Sequence, residues 1–406
     1  MDRRKFVIQS SLFTASNLLT LGVAQSANSN QKRLIVIFLR GAVDGLSVVV
    51  PYFEKAYYEN RPKIAIPKPG EEGGVLDLDG RFGLHPSLLP LMSQWKQGNL
   101  AFIHSSGSPD TTRSHFDAQD YMESGTPGMK RTSDGWMNRL LGELYQRNSI
   151  QAVTIGAATP RILSGRIPVA NIASGKAGTN PLPIDRPQVG NAFDKLYSSN
   201  DTLSQTYKEG RQARQAIITG LNMSLEEEMK MANNGASLPN GFPKDAQTLA
   251  KLMLKDPRVK LGFMAVGGWD THINQGSSKG QLAQRLGLLG QGLGALVENL
   301  REVYKDTTIL VISEFGRTVK ENGNGGTDHG HGNVMWVLGG KIRGGKVYGK
   351  WSGLENNQLF EGRDLAVTTD FRDVIVSLLQ GHMRLSDNNL NKVFPGYQVR
   401  ENIKLV

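Results

Sequence analysis

Histidines and carboxylates recur side by side at a few points in this chain. The stretch "NGGTDHGHGN" (324–333) places His329 and His331 two positions apart, with Asp328 beside the first. "GGWDTH" carries Asp270 and His272, "SEFGRT" carries Glu314 and Arg317, and "RGAVDG" carries Asp44. "SSGSPDTTRSHF" adds Asp110, Thr111, Thr112, Ser114 and His115. Imidazoles and carboxylates together are ligands for zinc first, with calcium, magnesium or manganese as the harder alternatives. A hydroxyl at a helix N-terminus beside such an ion can be deprotonated and attack phosphorus or sulfur. Arg40, Arg113 and Arg317 are suited to bidentate contacts with anionic oxygens.

Each motif also has a plainer use. Asp270 and His272 can simply form a turn, and Glu314 can pair with Arg317 on one helical turn. Asp110, Thr111 and Thr112 can cap the helix that follows, and His115 can be a satisfied buried histidine. The glycines of 324–333 let backbone pass close to another group, an ion included. The collective pattern is more specific. Four of the chain's seven histidines fall in these motifs, and each motif follows a segment that reads as a strand.

Those segments fix where the motifs must meet. "RLIVIFL" is a continuous apolar, β-branched run, as a buried parallel strand is. "NLAFIH" (99–104), "IQAVTIG" (150–156), "VKLGFMAVGG" (259–268), "TTILVIS" (307–313) and "VMWVLGG" (334–340) read as further strands. Helical patterns alternate with them over Pro86–Lys96, Ser114–Ser124, Trp136–Gln146, Leu203–Asn233, Ala246–Leu254, Gly280–Tyr304 and Asp370–Leu379. The fold class is therefore α/β, a mostly parallel sheet sandwiched by helices. Ligands of such sheets bind beyond the carboxyl ends of the strands, so Asp44, Asp270, His272, Glu314, His329 and His331 are expected at one edge. His331 is the first choice for the late ligand because it stands just before the next strand. Residues 161–200, rich in Pro, Gly, Ser and Asn, break the alternation. They read as the start of an irregular excursion and helical cap over 161–256. "LDLDGRFG" (76–83) lacks the ligand spacing of a calcium loop and reads as a hairpin turning at Asp79-Gly80.

Composition narrows the chemistry. The chain has 406 residues, 39% of them hydrophobic, and no cysteine, which excludes disulfides and thiolate metal sites. The N-terminus has Arg3 and Arg4 ahead of a mildly apolar run that ends in small residues near Ala24, Ser26 and Ala27. That is the layout of a twin-arginine signal peptide over residues 1–27, with periplasmic or other export as its consequence. The run is too short and polar for a stable membrane span. The formal charge of +10 invites an anionic partner, yet no basic run is interleaved with aromatics. Nucleic acid is therefore not the expected partner.

"FLRGAVDGL", "TTRSHFDAQDYMESG", "GGWDTH", "SEFGRT" and "DHGHGN" together resemble a twin-arginine-exported bacterial family, the domain of unknown function 1501 family. That family is grouped with the alkaline phosphatase and sulfatase-like superfamily. The resemblance spans about residues 32–385 and implies one alkaline-phosphatase-like α/β domain over 32–400. It also implies a metal-dependent hydrolase of phosphate or sulfate esters, with Asp44, Asp270, His272, Glu314 and His329 or His331 around one or two divalent ions. By the same resemblance the nucleophile is Thr111, with Ser114 and Thr112 as rivals, and His115 and Arg317 complete the catalytic set. Phe315 stands where the superfamily has a histidine, so one ligand must come from elsewhere or one ion is lost. The expected partner is an anionic ester or glycan. Two other readings stay open: a catalytically inactive member that binds a glycan or protein in the cell envelope, and a phosphotransferase or mutase.

Overall fold

A computed structural model describes residues 32–144, 151–174 and 225–406. The segment 1–27, expected to be a signal peptide, and most of the expected cap, including the first part of the helix expected over Leu203–Asn233, lie outside the described residues. Twelve strands are described in chain order. They are β1 (Arg33–Leu39), β2 (Val49–Val50), β3 (Leu76–Asp77), β4 (Gly83–Leu84), β5 (Leu100–Gly107), β6 (Ala152–Ile155), β7 (Ala170–Ile172), β8 (Leu261–Val266), β9 (Thr307–Ser313), β10 (Asn333–Gly339), β11 (Lys346–Tyr348) and β12 (Thr369–Asp370). Nine of them form one sheet in the order β11-β5-β10-β9-β1-β8-β6-β7, with β12 paired to β5.

The apolar run of β1 is central because both of its faces must be buried. Ile35, Ile37 and Leu39 point into one core layer and Leu34, Val36 and Phe38 into the other. The first layer is covered by helices Phe242–Lys255 and Gln281–Leu300, the second by Trp136–Leu144 and Phe371–Gly381. In Gln281–Leu300 the fully buried residues Leu282, Leu286, Leu289, Leu293, Leu296 and Leu300 recur at helical spacing. Each such side chain contributes roughly 1.5–3 kcal/mol by leaving water. The expected α/β sandwich is thus present.

Strand β10 runs antiparallel to both β5 and β9, while the other pairings in the sheet are parallel. No helix intervenes between β9 and β10. A chain that does not cross back along the sheet face re-enters from the edge where it left, so the strand must reverse. The whole connection 314–332 therefore stays at the carboxyl edge. The Asp79-Gly80 segment forms the expected hairpin: β3 and β4 pair antiparallel, and Asp79 Oδ1 accepts from the amides of Arg81 (3.0 Å) and Phe82 (2.8 Å). It has no part in the site. No described helix is long and apolar enough to cross a membrane.

Candidate metal centre

Beyond β8 the chain turns through Gly267-Gly268 and delivers Asp270 and His272, both buried. From the connection before β10 comes His329, and from the first turn of helix His115–Ser124 comes His115. The Nε2 atoms of these three imidazoles converge. His329 Nε2 lies 2.9 Å from His115 Nε2 and 2.9 Å from His272 Nε2. Asp270 completes the group: Oδ2 lies 3.5 Å from His115 Nε2, and Oδ1 lies 3.1 Å from His272 Nε2 and 3.5 Å from His329 Nε2.

Two glycines make the convergence possible. A Cβ on Gly41 would stand 2.6 Å from the Asp270 amide nitrogen, and its φ of +112° suits glycine. A Cβ on Gly330 would stand 2.4 Å from the Arg317 carbonyl carbon. The glycines around His329 therefore let the loop lie against 316–318. There Gly330 N donates to Gly316 O (2.8 Å) and Thr318 N to Asp328 O (2.9 Å). They serve close packing of backbone on backbone rather than approach to an ion.

The outward nitrogens decide the protonation of the rings. His115 Nδ1 faces Glu314 Oε1 at 2.8 Å, His272 Nδ1 faces Asp328 Oδ1 at 3.1 Å, and His329 Nδ1 faces the Arg113 carbonyl at 2.9 Å. Carboxylates and carbonyls only accept, so each Nδ1 carries a proton, and a ring in its neutral form turns a lone pair inward. Three lone pairs and a carboxylate at this separation repel unless a cation stands among them. Asp270 Oδ2 is buried and has no hydrogen-bond partner among the described residues. Both observations fit a divalent ion held by imidazole and carboxylate, with outer carboxylates fixing the rings.

The electrostatics show where positive charge is favoured in the absence of an ion. Burial alone would raise the Asp270 carboxyl. Contacts with His115, His272 and His329 and the charge of Arg317 overcome this and hold it far below the usual carboxylate range. Burial alone would lower His115, but the neighbouring Asp270 and Glu314 carboxylates reverse the direction and raise it to about 9, so an ion binding here displaces a proton from this ring. For His329 burial is again the largest cause, and its value falls, helped by the charges of His115 and Arg317.

Several expected roles change. Glu314 does not face the cluster. It accepts from Gly41 N (2.8 Å) and Gln119 Nε2 (2.9 Å) and holds His115 in place. Asp44 does not join it either: Arg61, buried with it, binds both oxygens at 2.6 and 3.0 Å, and Ser47 and Gln275 add bonds at 2.7 Å each. Arg61 supplies the positive charge that an ion was expected to supply there. His331, the first choice in the sequence, stacks on Phe360 with ring centroids 4.5 Å apart. It lines a cleft of about 500 Å³ together with Thr111, so neither faces the cluster.

Arg317 is not free for a substrate. Its Nη1 binds Asp270 Oδ1 at 2.6 Å and its Nε donates to Thr327 Oγ1 at 3.2 Å, with Nη2 on the Thr327 carbonyl. Arg40 pairs with Glu123, and Arg113 with Glu361 and Asp364. Thr112 Oγ1 accepts from Ser114 N (3.2 Å), a turn contact. Ser114 caps its helix by accepting from Asp117 N at 3.4 Å. It stands between Arg113, whose carbonyl holds His329, and His115. Phe315 packs on the His115 and His329 rings, at centroid distances of 4.8 and 5.2 Å. His115 thus contributes an imidazole to the cluster while Phe315 forms its wall.

The sequence reading missed Gln119, Arg61 and Glu228. Gln119 was signalled by its place one helical turn after His115. Arg61 has no local signal. A carboxylate oxygen of Glu228 lies within 4.8 Å of ring nitrogens of His272 and His329.

The sequence profile of the family described as "protein of unknown function (DUF1501)" matches residues 31–394. The chain belongs to that family. No curated protein matches this DUF1501 chain. Solved structures similar to it include an alkaline phosphatase superfamily protein from Vibrio parahaemolyticus, 12% identical, covering 79% of this chain and 62% of that one, with a TM-score of 0.36. Another is the lipoteichoic acid synthase LtaP from Listeria monocytogenes, 11% identical over 79% of this chain and 69% of that one, TM-score 0.35. The periplasmic domain of EcEptC from Escherichia coli, in complex with Zn, is 11% identical over 77% and 74%, TM-score 0.31. At these TM-scores the likeness carries no argument about this chain's chemistry, which rests on its own residues.

Proposed function

We propose that this DUF1501 chain is a hydrolase of phosphate or sulfate esters that works with one divalent ion, zinc first, held by His115, Asp270, His272 and His329. The observation that carries this is the inward convergence of three imidazole Nε2 atoms beside a buried carboxylate oxygen that accepts no hydrogen bond among the described residues. Such an ion, when bound, polarises an ester oxygen and eases deprotonation of a nearby hydroxyl or water. The protein's own groups do the rest. Glu314, Asp328 and the Arg113 carbonyl keep each Nδ1 protonated and each ring aimed inward. Arg317 fixes Asp270 through Oδ1 and leaves Oδ2 for the ion. Of the hydroxyls, Ser114 is the nucleophile in this reading. It stands at the exposed N-terminus of a ten-residue helix beside His115, where helix amides favour anionic oxygens. Thr111 lines the neighbouring cleft instead.

Export belongs to the same reading and rests on Arg3, Arg4 and the apolar run behind them. Replacing both arginines by lysine should leave the chain in the cytoplasm; an unchanged envelope fraction would remove export by this route. The hydrolase reading is tested with the zinc-loaded chain on aryl phosphate and aryl sulfate esters. Turnover that falls at least about a hundredfold in Ser114→Ala but not in Thr111→Ala supports it. A fully zinc-loaded protein inert across the panel contradicts it.

The engagement of Arg40, Arg113 and Arg317 in internal ion pairs favours a second reading. Without a free arginine among these three, the ion would organise a site that binds an anionic glycan without cleaving it. Binding of a sulfated oligosaccharide that is recovered intact would distinguish it.

A further inference from the structure

The two candidate ligand groups, His115–Asp270–His329 and Glu228–His272–His329, share His329. His329 offers one inward lone pair, so the two groups describe the surroundings of one ion and not of two. Four donors are buried or nearly so and locked from behind. The fifth, Glu228, is exposed and forms no salt bridge among the described residues.

Its position is not accidental. Glu228 lies on helix Leu225–Met231, and the residues just after that helix are tied to the site's own scaffold. Gln119 Nε2 donates to Ala232 O (2.8 Å) and also to Glu314 Oε1 (2.9 Å). Asn234 Nδ2 donates to Gln119 Oε1 (3.0 Å), and Arg40 Nη1 donates to Asn234 O (2.8 Å). The group that orients His115 therefore also anchors the backbone one turn from Glu228.

The geometry points to Glu228 as an exchangeable ligand of the metal centre, closing it at rest and yielding its place to an anionic oxygen of the substrate. This rests on the metal-centre reading above. Three imidazoles and Asp270 already satisfy a tetrahedral ion, so a substrate must enter by expansion or by displacing a donor. The donor cheapest to displace is the one without a supporting hydrogen bond and on the solvent side. A phosphoryl or sulfuryl oxygen replaces a carboxylate oxygen charge for charge, which selects for anionic esters over neutral ones.

The test uses the full chain, zinc and inorganic phosphate as the probe. Zinc should slow amide exchange across residues 225–231, and phosphate should reverse that slowing. Glu228→Gln should abolish the zinc-dependent slowing and weaken zinc by about tenfold, the scale of one lost contact; Glu226→Gln, equally exposed but two residues away and on another face of the helix, should behave as the parent chain. Zinc that binds through His329 yet leaves 225–231 unaffected overturns the assignment alone. Zinc that fails to bind, or binds equally to His329→Ala, overturns the metal centre and the assignment with it.

Discussion

The Nε2 atoms of His115 and His329 face each other at 2.9 Å, while the Nδ1 of each is turned onto an oxygen that can only accept. Two neutral rings in this arrangement turn lone pairs toward one point, which a cation there relieves. Replacing either by alanine should remove stoichiometric zinc binding, with little change in the fold. Isothermal titration and far-UV circular dichroism check both halves of that expectation. Retained one-to-one zinc in both variants would place the ion elsewhere.

In the proposed centre Glu314 would act only through His115, whose Nδ1 it holds. Glu314→Gln keeps the volume and an accepting oxygen but removes the charge behind the ring. Zinc affinity should fall about 10–100-fold, as for other outer partners of ligating histidines, and competition with a chromophoric chelator measures it. A complete loss of binding would mean Glu314 is itself a ligand.

Asp44 and Arg61 should behave differently from the centre. Both are fully buried and their pKa values diverge. For Asp44, burial raises the carboxyl but Arg61 more than offsets this; for Arg61, burial lowers the guanidinium but Asp44 more than offsets that. Asp44→Asn leaves the Arg61 charge buried without its partner, a loss of about 3–5 kcal/mol. Chemical denaturation should show that loss while the zinc stoichiometry of the folded protein is unchanged. Lost zinc with unaltered stability would restore Asp44 as a ligand.

Three histidines outside the centre make the fold sensitive to acid. Burial lowers His85, His104 and His382 to about 4 each, from an ordinary value of 6.5. Between pH 4 and 6.5 the unfolded chain binds more protons than the folded one. These groups therefore cost no stability above pH 6.5, and stability falls as pH drops through that window and levels off below 4. His382→Gln should flatten the slope of unfolding free energy by up to about one proton, roughly 1.4 kcal/mol per pH unit. An unchanged slope in metal-free protein would show that His382 is not held neutral.

The sheet was legible because apolar runs such as 34–39 admit few alternatives when both faces are buried, and Ser114 was legible as a helix start. The edge to which the polar motifs belong followed from the same logic, although the expected ligand group also held Asp44, Glu314 and His331 and gave His115 a catalytic role instead. What failed was the assignment of roles within that group. Arg61 sits 17 residues beyond Asp44, at the end of the short helix Lys55–Asn60, and nothing local announces that it binds that carboxylate. His331 was preferred over His329 by its place before the strand, whereas ring orientation is set by Phe360, a residue far along the chain. Glu314 looked like a ligand because its neighbours in space, Gly41 and Gln119, are remote in sequence.

The central claim is one divalent ion among His115, Asp270, His272 and His329. An anomalous-scattering crystal structure of the zinc-loaded chain tests it most directly. The expected result is a single peak within about 2.0–2.2 Å of imidazole nitrogens of His115 and His329 and of Asp270 Oδ2. A peak on Asp44 or His331, or zinc-loaded crystals with no peak at this cluster, would contradict it.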